Sequence, residues 1–198
     1  MLDVRNLCRP GLFPVSLQLE AGECLALRGP SGAGKTLLLR AIADLDPSEG
    51  EVFWQGRERN DLSGPEWRRL VGYLPAEPGW WAETVGEHFL NWQGLEPILS
   101  RLGLPMEAKS WPLTRPSTGE RLRLALIRAL ERQPKVLLLD EPTAALDAKS
   151  VAIVEALIAE RRAEGLAVLW VSHDEEQGRR VASRTLRIEA GRAWAEEA

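Results

Sequence analysis

Gly29-Pro30-Ser31-Gly32-Ala33-Gly34-Lys35-Thr36 fits the pattern G-x-x-x-x-G-K-[ST] in full. Glycine at these positions lets backbone N–H groups curl inward around phosphate oxygens. Lys35 is spaced to reach the β- and γ-phosphates of a nucleotide, and the Thr36 hydroxyl to hold Mg2+. A random chain of this length would contain such a string on the order of once in a hundred. A second reactive point is Asp140-Glu141, which closes the apolar run Val136-Leu137-Leu138-Leu139. Asp140 is placed to meet Mg2+, directly or through water, and Glu141 to polarise an attacking water as general base. Alone, such a pair is more often a solvated strand end; the phosphate loop upstream favours the chemical reading. His173 follows another apolar run and suits a γ-phosphate sensor, although a lone histidine is usually structural or merely exposed.

These groups need strand ends and helix starts to hold them. The run Glu23 to Leu27 reads as a strand leading into the loop. After the loop the period changes: Leu37, Leu38, Ile42 and Leu45 fit one helical face, with Pro47 just beyond. Strand signals also cover Leu2 to Asn6, Val15 to Leu19, Glu51 to Trp54 and Leu70 to Leu74. Val136 to Leu139 suits a central parallel strand buried on both faces. A helix over Ala148 to Arg162 and a strand over Ala167 to Val171 follow. Residues 79–133 differ: they carry Trp80, Trp81, Trp92 and Trp111, several prolines, helix-length apolar patterns and a last helix over about Glu120 to Arg132. The expected architecture is α/β, with a mainly parallel central sheet, an N-terminal antiparallel β subdomain and an inserted helical subdomain. Residues 1–198 form one domain, with 1–78 and 134–198 as the nucleotide-binding core and 79–133 as the helical subdomain.

Composition excludes some classes. The 198 residues carry 25 Lys+Arg against 29 Asp+Glu, a net charge of -4 that supplies no global field for nucleic acid or anionic lipid. At 44% hydrophobic and 27% charged, the chain is not of disordered composition. No apolar run approaches the 18 or so residues that span a bilayer. The first residues lack the basic-then-apolar layout of a secretory signal. Cys8 and Cys24 form no C-x-x-C pair, and a reducing cytoplasm is expected.

Together these residues resemble the ATP-binding subunits of ABC transporters, over nearly the whole chain. Gly29 to Thr36 looks like Walker A, and Val136 to Glu141 like Walker B with its catalytic glutamate. Ala145-Leu146-Asp147 is similar to the D-loop and His173 to the switch histidine. Pro116-Ser117-Thr118-Gly119-Glu120 stands where the family has its L-S-G-G-Q signature. The resemblance implies a P-loop ATPase using ATP and Mg2+. The nucleotide would bind at Gly29, Pro30, Ser31, Gly32, Ala33, Gly34, Lys35 and Thr36, with Ser117, Gly119 and Asp147 contributing across a dimer. Thr36 and Asp140 would hold the metal, and Glu141 and His173 would be catalytic. It also implies a head-to-tail, ATP-dependent dimer, with homodimer as the expectation, and an integral-membrane permease partner. The chain would sit on the cytoplasmic face of the membrane, peripheral through the permease, with no nucleic-acid partner. Ser117 before Glu120 reads equally as a helix cap, and both roles can hold together.

Three departures stand out. Thr118 and Pro116 replace the usual glycine and leucine of the signature, and the Thr118 Cβ should weaken ATP-driven dimerisation. Ala76 occupies the position of the Q-loop glutamine, with Glu77 beside it. The adenine-stacking aromatic is not evident; Phe13 and Arg9 are the candidates. Trp80 and Trp81 follow the Q-loop, where they read either as a permease-docking face or as core residues. Tyr73 through Val85, Ser117 to Leu130, Pro134 to Asp147 and Val168 to Asp174 are similar to small bacterial iron-export subunits, a pattern largely shared with haem-export and other small ABC subunits. A soluble ABC protein acting on nucleic acid or ribosomes, and a regulatory nucleotide-binding module with little turnover, are the competing readings.

Overall fold

The computed structural model describes residues 1–196. Two sheets organise them. Strands β1 (Leu2–Arg9), β2 (Leu12–Leu19), β4 (Glu49–Trp54) and β5 (Arg57–Glu58) form an antiparallel sheet in the order β2-β1-β4-β5. The second sheet has the order β10-β9-β3-β8-β7-β6. It comprises β3 (Cys24–Arg28), β6 (Val71–Leu74), β7 (Val136–Asp140), β8 (Ala167–Val171), β9 (Arg184–Glu189) and β10 (Arg192–Glu196). All its pairings are parallel except β9 with β10.

The continuous apolar strands are explained by helices and sheet covering both faces. Alternate residues feed different cores. Leu25, Leu27, Val136, Leu138, Leu169 and Val171 pack toward the antiparallel sheet and helix α1 (Lys35–Ile42). Cys24, Leu137, Leu139, Val168 and Trp170 pack on the opposite side, against α4 (Thr118–Glu131) and α5 (Ala148–Ala163).

Helix α1 ends at Ile42, earlier than the apolar period suggested. Leu38, Leu39, Ala41 and Ile42 are buried, but Leu45 is exposed. Asp44 takes a positive φ of 56° just past the C-cap, so the chain leaves the helix before Leu45 can join its face. Helix α2 (Gly64–Leu70) starts with a Ser63–Glu66 capping box and delivers buried Trp67, whose Nε1 donates to the Ile42 carbonyl at 2.8 Å.

The segment between β6 and β7 is less helical than its apolar spacing indicated. Before α4 it holds only one short α-helix, α3 (Glu96–Arg101), among 3-10 turns at Val85–His88, Trp92–Leu95 and Met106–Ser110. Pro105 and Pro112, together with Gly94 and Gly103, interrupt longer helices. Tertiary packing supplies the order instead, since Val85, Trp92, Leu99 and Trp111 are buried in the second core.

Candidate nucleotide site

Parallel pairing of β3 with β8 and of β8 with β7 sets the carboxyl ends of three strands side by side. From these ends issue the Gly29–Gly34 loop, Ser172-His173 and Asp140-Glu141. Ligands of open α/β sheets lie at such an edge.

Gly29, Gly32 and Gly34 have φ of 147°, 75° and 110°. A Cβ at Gly29 would overlap the Ile188 carbonyl, and Gly34 turns directly into α1. The positive φ values turn the backbone sharply between β3 and α1, a conformation that glycine adopts readily and that a phosphate-binding loop requires. Pro30, Ser31 and Gly32 are exposed at its rim, whereas Ala33 is buried and accepts a hydrogen bond from the Gly191 N–H at 2.9 Å. Lys35 is buried, and its Nζ donates to the carbonyls of Gly29 at 2.7 Å and Pro30 at 3.0 Å. Desolvation lowers the Lys35 pKa, opposed by the charges of Glu141 and Asp140.

Thr36 Oγ1 donates to Asp140 Oδ2 at 2.7 Å. The Tyr73 hydroxyl donates to the same oxygen at 3.2 Å. Burial, reinforced by the Asp140 charge, raises the Tyr73 pKa and keeps the phenol protonated. These hard oxygens suit Mg2+. No cluster of three or more His, Cys, Asp or Glu side chains stands ready for a metal among the described residues. An ion here would complete its shell with phosphate oxygens and water, which is the usual habit of Mg2+ at nucleotide sites.

Glu141 lies one residue past β7 with φ 52°, and its N–H donates to the Val171 carbonyl at 3.2 Å. A non-glycine residue in the left-handed region is strained, and such strain clusters at functional positions. His173 Nε2 is 2.8 Å from Glu141 Oε1. Buried Gln177, on helix α6 (Glu175–Val181), accepts from Thr143 Oγ1 at 3.1 Å and donates to Glu155 at 2.9 Å. It ties the chain after Glu141 to the helix after His173. Sequence spacing did not single out Tyr73 or Gln177; both act through strand register and helix packing.

Ser117, Gly119 and Asp147 form a second cluster, bonded among neighbouring elements rather than to the loop. Ser117 caps α4 in a reciprocal box with Glu120, donating to its carboxylate at 2.8 Å. Ser117 and Thr118 are exposed at the helix N-terminus. A Cβ on Gly119 would lie 3.0 Å from the Ala145 carbonyl and 3.3 Å from Leu146. Asp147 caps α5: it accepts from the Ser150 N–H at 3.0 Å and the Ser150 hydroxyl at 2.8 Å. Arg123 of α4 donates to that same hydroxyl at 2.9 Å. Elsewhere, Arg9 is committed to Asp46, while Phe13 is exposed with the Arg192 guanidinium 4.8 Å from its ring centroid. Ala76 and Glu77 are exposed.

The family model described as "ABC transporter" matches residues 12–144. The chain belongs to this family. It is an ABC ATPase, the ATP-binding subunit of a transport system. It is similar to the aliphatic sulfonates import ATP-binding protein SsuB 2 of Paracoccus denitrificans, with 38% identity covering 89% of this chain and 71% of the relative. It is also similar to the protein named "Probable iron export ATP-binding protein FetA" of Escherichia coli, with 35% identity covering 82% and 78%. The thiamine import ATP-binding protein ThiQ of Cereibacter sphaeroides shares 39% over 96% and 89%. Among solved structures, the ATP-binding cassette MJ0796, in a dimeric post-hydrolysis state with ADP and Pi, superposes with a TM-score of 0.81 at 25% identity over the whole of both chains.

Proposed function

We propose that this ABC ATPase binds ATP and Mg2+ in the Gly29–Thr36 cradle and drives a separate membrane permease. The observation that carries the reading is the convergence, at neighbouring strand ends, of the Thr36–Asp140 pair at 2.7 Å and the Glu141–His173 pair at 2.8 Å. Thr36 and Asp140 would hold the metal, which when bound neutralises phosphate charge. Lys35 is close enough to the loop to exchange its carbonyl partners for phosphate oxygens. Glu141 accepts a proton from the attacking water, and His173 fixes the orientation of that carboxylate. Ser117, Thr118 and Gly119 open a helix toward solvent, where a head-to-tail second subunit would present its nucleotide. Two copies would thus complete each other's sites. Residues 79–133 act as the subdomain that carries this signature segment.

No helix among the described residues is long and apolar enough to cross a membrane. Attachment to the cytoplasmic face would run through the permease. The iron-export relative supports efflux of a metal, and the sulfonate and thiamine importers support uptake at similar identity. Cargo and direction are properties of the permease cavity. The test is recovery of this chain from detergent-solubilised membranes with and without ATP. A multi-spanning protein in stoichiometric amount is the expected result. Recovery of ribosomes, nucleic acid or soluble protein alone would overturn it.

A further inference from the structure

Helix α6 follows His173 and is held from two sides. Arg28 closes β3 just before the phosphate loop, and its Nη2 donates to the Glu175 carbonyl. A Cβ on Gly178 would lie 2.8 Å from the same nitrogen, so the guanidinium rests directly on the helix. On the other side stands Gln177, only 2% exposed.

The neighbours of the Gln177 amide fix its orientation. A carboxylate only accepts hydrogen bonds. Glu155 of α5 accepts from Nε2 at 2.9 Å, which leaves Oε1 to accept from the Thr143 hydroxyl at 3.1 Å. Arg180 donates to both Glu155 oxygens, at 3.0 and 3.3 Å, and so holds that carboxylate in place. The series Arg180, Glu155, Gln177, Thr143 therefore has one direction, and no member can be turned round without losing a bond.

Thr143 lies in the turn that begins at Glu141. The Glu141 carbonyl accepts from the Ala144 N–H at 3.3 Å, and the Thr143 carbonyl from the Leu146 N–H at 3.1 Å. The left-handed φ of Glu141 persists only where the surroundings over-determine it. The Val171 carbonyl holds the Glu141 N–H, and the Thr143–Gln177 bond holds the turn after it. Gln177 also donates its own N–H to Asp174 Oδ1 at 3.2 Å, one residue past His173. A single buried residue thus grips the flank of Glu141 and the flank of the histidine that meets it at 2.8 Å.

We infer that Gln177 is a positioning residue for the Glu141–His173 pair: its amide, oriented by Glu155, sets the turn after Glu141 against the helix after His173 and keeps the base aligned with the attacking water. The inference rests on the roles proposed above for Glu141 and His173, and adds the residue that holds them in register.

The test is Gln177→Glu, which keeps the shape and makes the position titrate. Around it stand Glu155 of α5, Asp174 and Arg180 of α6, and Arg28 of β3. Ionised, the introduced carboxyl repels Glu155 and has no proton to give it. Protonated, it donates to Glu155 and still accepts from Thr143. In the full chain, kcat for phosphate release relative to the unaltered chain should fall about ten- to a hundredfold at about pH 8.5, with KM for ATP unchanged. That ratio should recover at least about fivefold by about pH 6, since titration of Glu141 and His173 is common to both chains and cancels. Gln177→Met, which has no proton for Glu155, should be slow at both pH values. Should Gln177→Glu not accumulate, Thr143→Val, which removes the other end of the bond, must give the same loss of kcat with KM kept. A loss confined to KM, a fall in thermal stability with kcat unchanged, or a ratio flat with pH overturns the inference; if Glu141→Gln is inactive in the same assay, Glu141 keeps its role. Full turnover by Glu141→Gln overturns both.

Discussion

His173 Nε2 lies 2.8 Å from Glu141 Oε1, across the gap between the ends of β8 and β7. The carboxylate proposed as base is thus held by a side chain from the neighbouring strand end. Glu141→Gln should reduce phosphate release by about 100- to 10,000-fold while ATP stays bound. His173→Ala should lose turnover in the same direction without losing nucleotide. Single-turnover phosphate release alongside equilibrium nucleotide binding separates the two quantities. Full turnover by Glu141→Gln would remove Glu141 from the role of base.

Tyr73 places a second hydroxyl on the Asp140 oxygen that Thr36 also uses. In Tyr73→Phe that oxygen loses a donor and the carboxylate gains freedom to turn. A lost charge-assisted hydrogen bond of about 1–2 kcal/mol corresponds to roughly a five- to thirty-fold rise in the Mg2+ needed for half-maximal turnover. A Mg2+ titration of turnover, with Mn2+ binding followed by EPR in the presence of nucleotide, reads the effect. Unchanged curves would show that Thr36 alone positions Asp140.

Thr118 is exposed at the start of α4, with a Cβ where the family has glycine. Glu141→Gln combined with Thr118→Gly should dimerise at lower ATP-bound protein concentration than Glu141→Gln alone, because the backbone can approach phosphate more closely. Sedimentation with ATP measures it. Equal dimer constants would show that the threonine side chain is accommodated.

Burial pushes the Cys24 thiol up to about 12, against the smaller opposing influence of Arg162. Its folded pKa exceeds the unfolded one, so its contribution to stability is complete below about pH 9 and is lost as pH rises from there toward 12. Iodoacetamide at pH 8 should leave Cys24 unlabelled in the folded protein and label it in urea. Rapid native labelling would show that the sheet opens at β3.

What could be read from the sequence was chemistry carried by contiguous residues. The phosphate loop and Asp140-Glu141 are local strings whose flanking apolar runs identify the strands beside them. Ala167 to Val171 forms β8 with the boundaries its composition indicated. Tyr73 reaches Asp140 only because β6 pairs with β7, with Tyr73 opposite Leu138. Gln177 finds Thr143 only after α6 folds back beside the β7 exit. In residues 79–113 apolar spacing overstated helix, because prolines and glycines divide the segment while the second core still takes its side chains. Trp80 and Trp81 divide likewise: the first packs against that core, and the second faces outward.

The close fit of Gly119 against Ala145 has a mechanical meaning. The start of α4 rests on the loop that leads into α5, and the Arg123–Ser150–Asp147 chain fastens the same two helices a turn further in. The pair behaves as a clasp with one hinge rather than two levers. Any tilt of α4 would therefore arrive at Asp147 as displacement, transmitted by steric contact and short hydrogen bonds. The starts of α4 and α5 are thus two ends of one fastened pair.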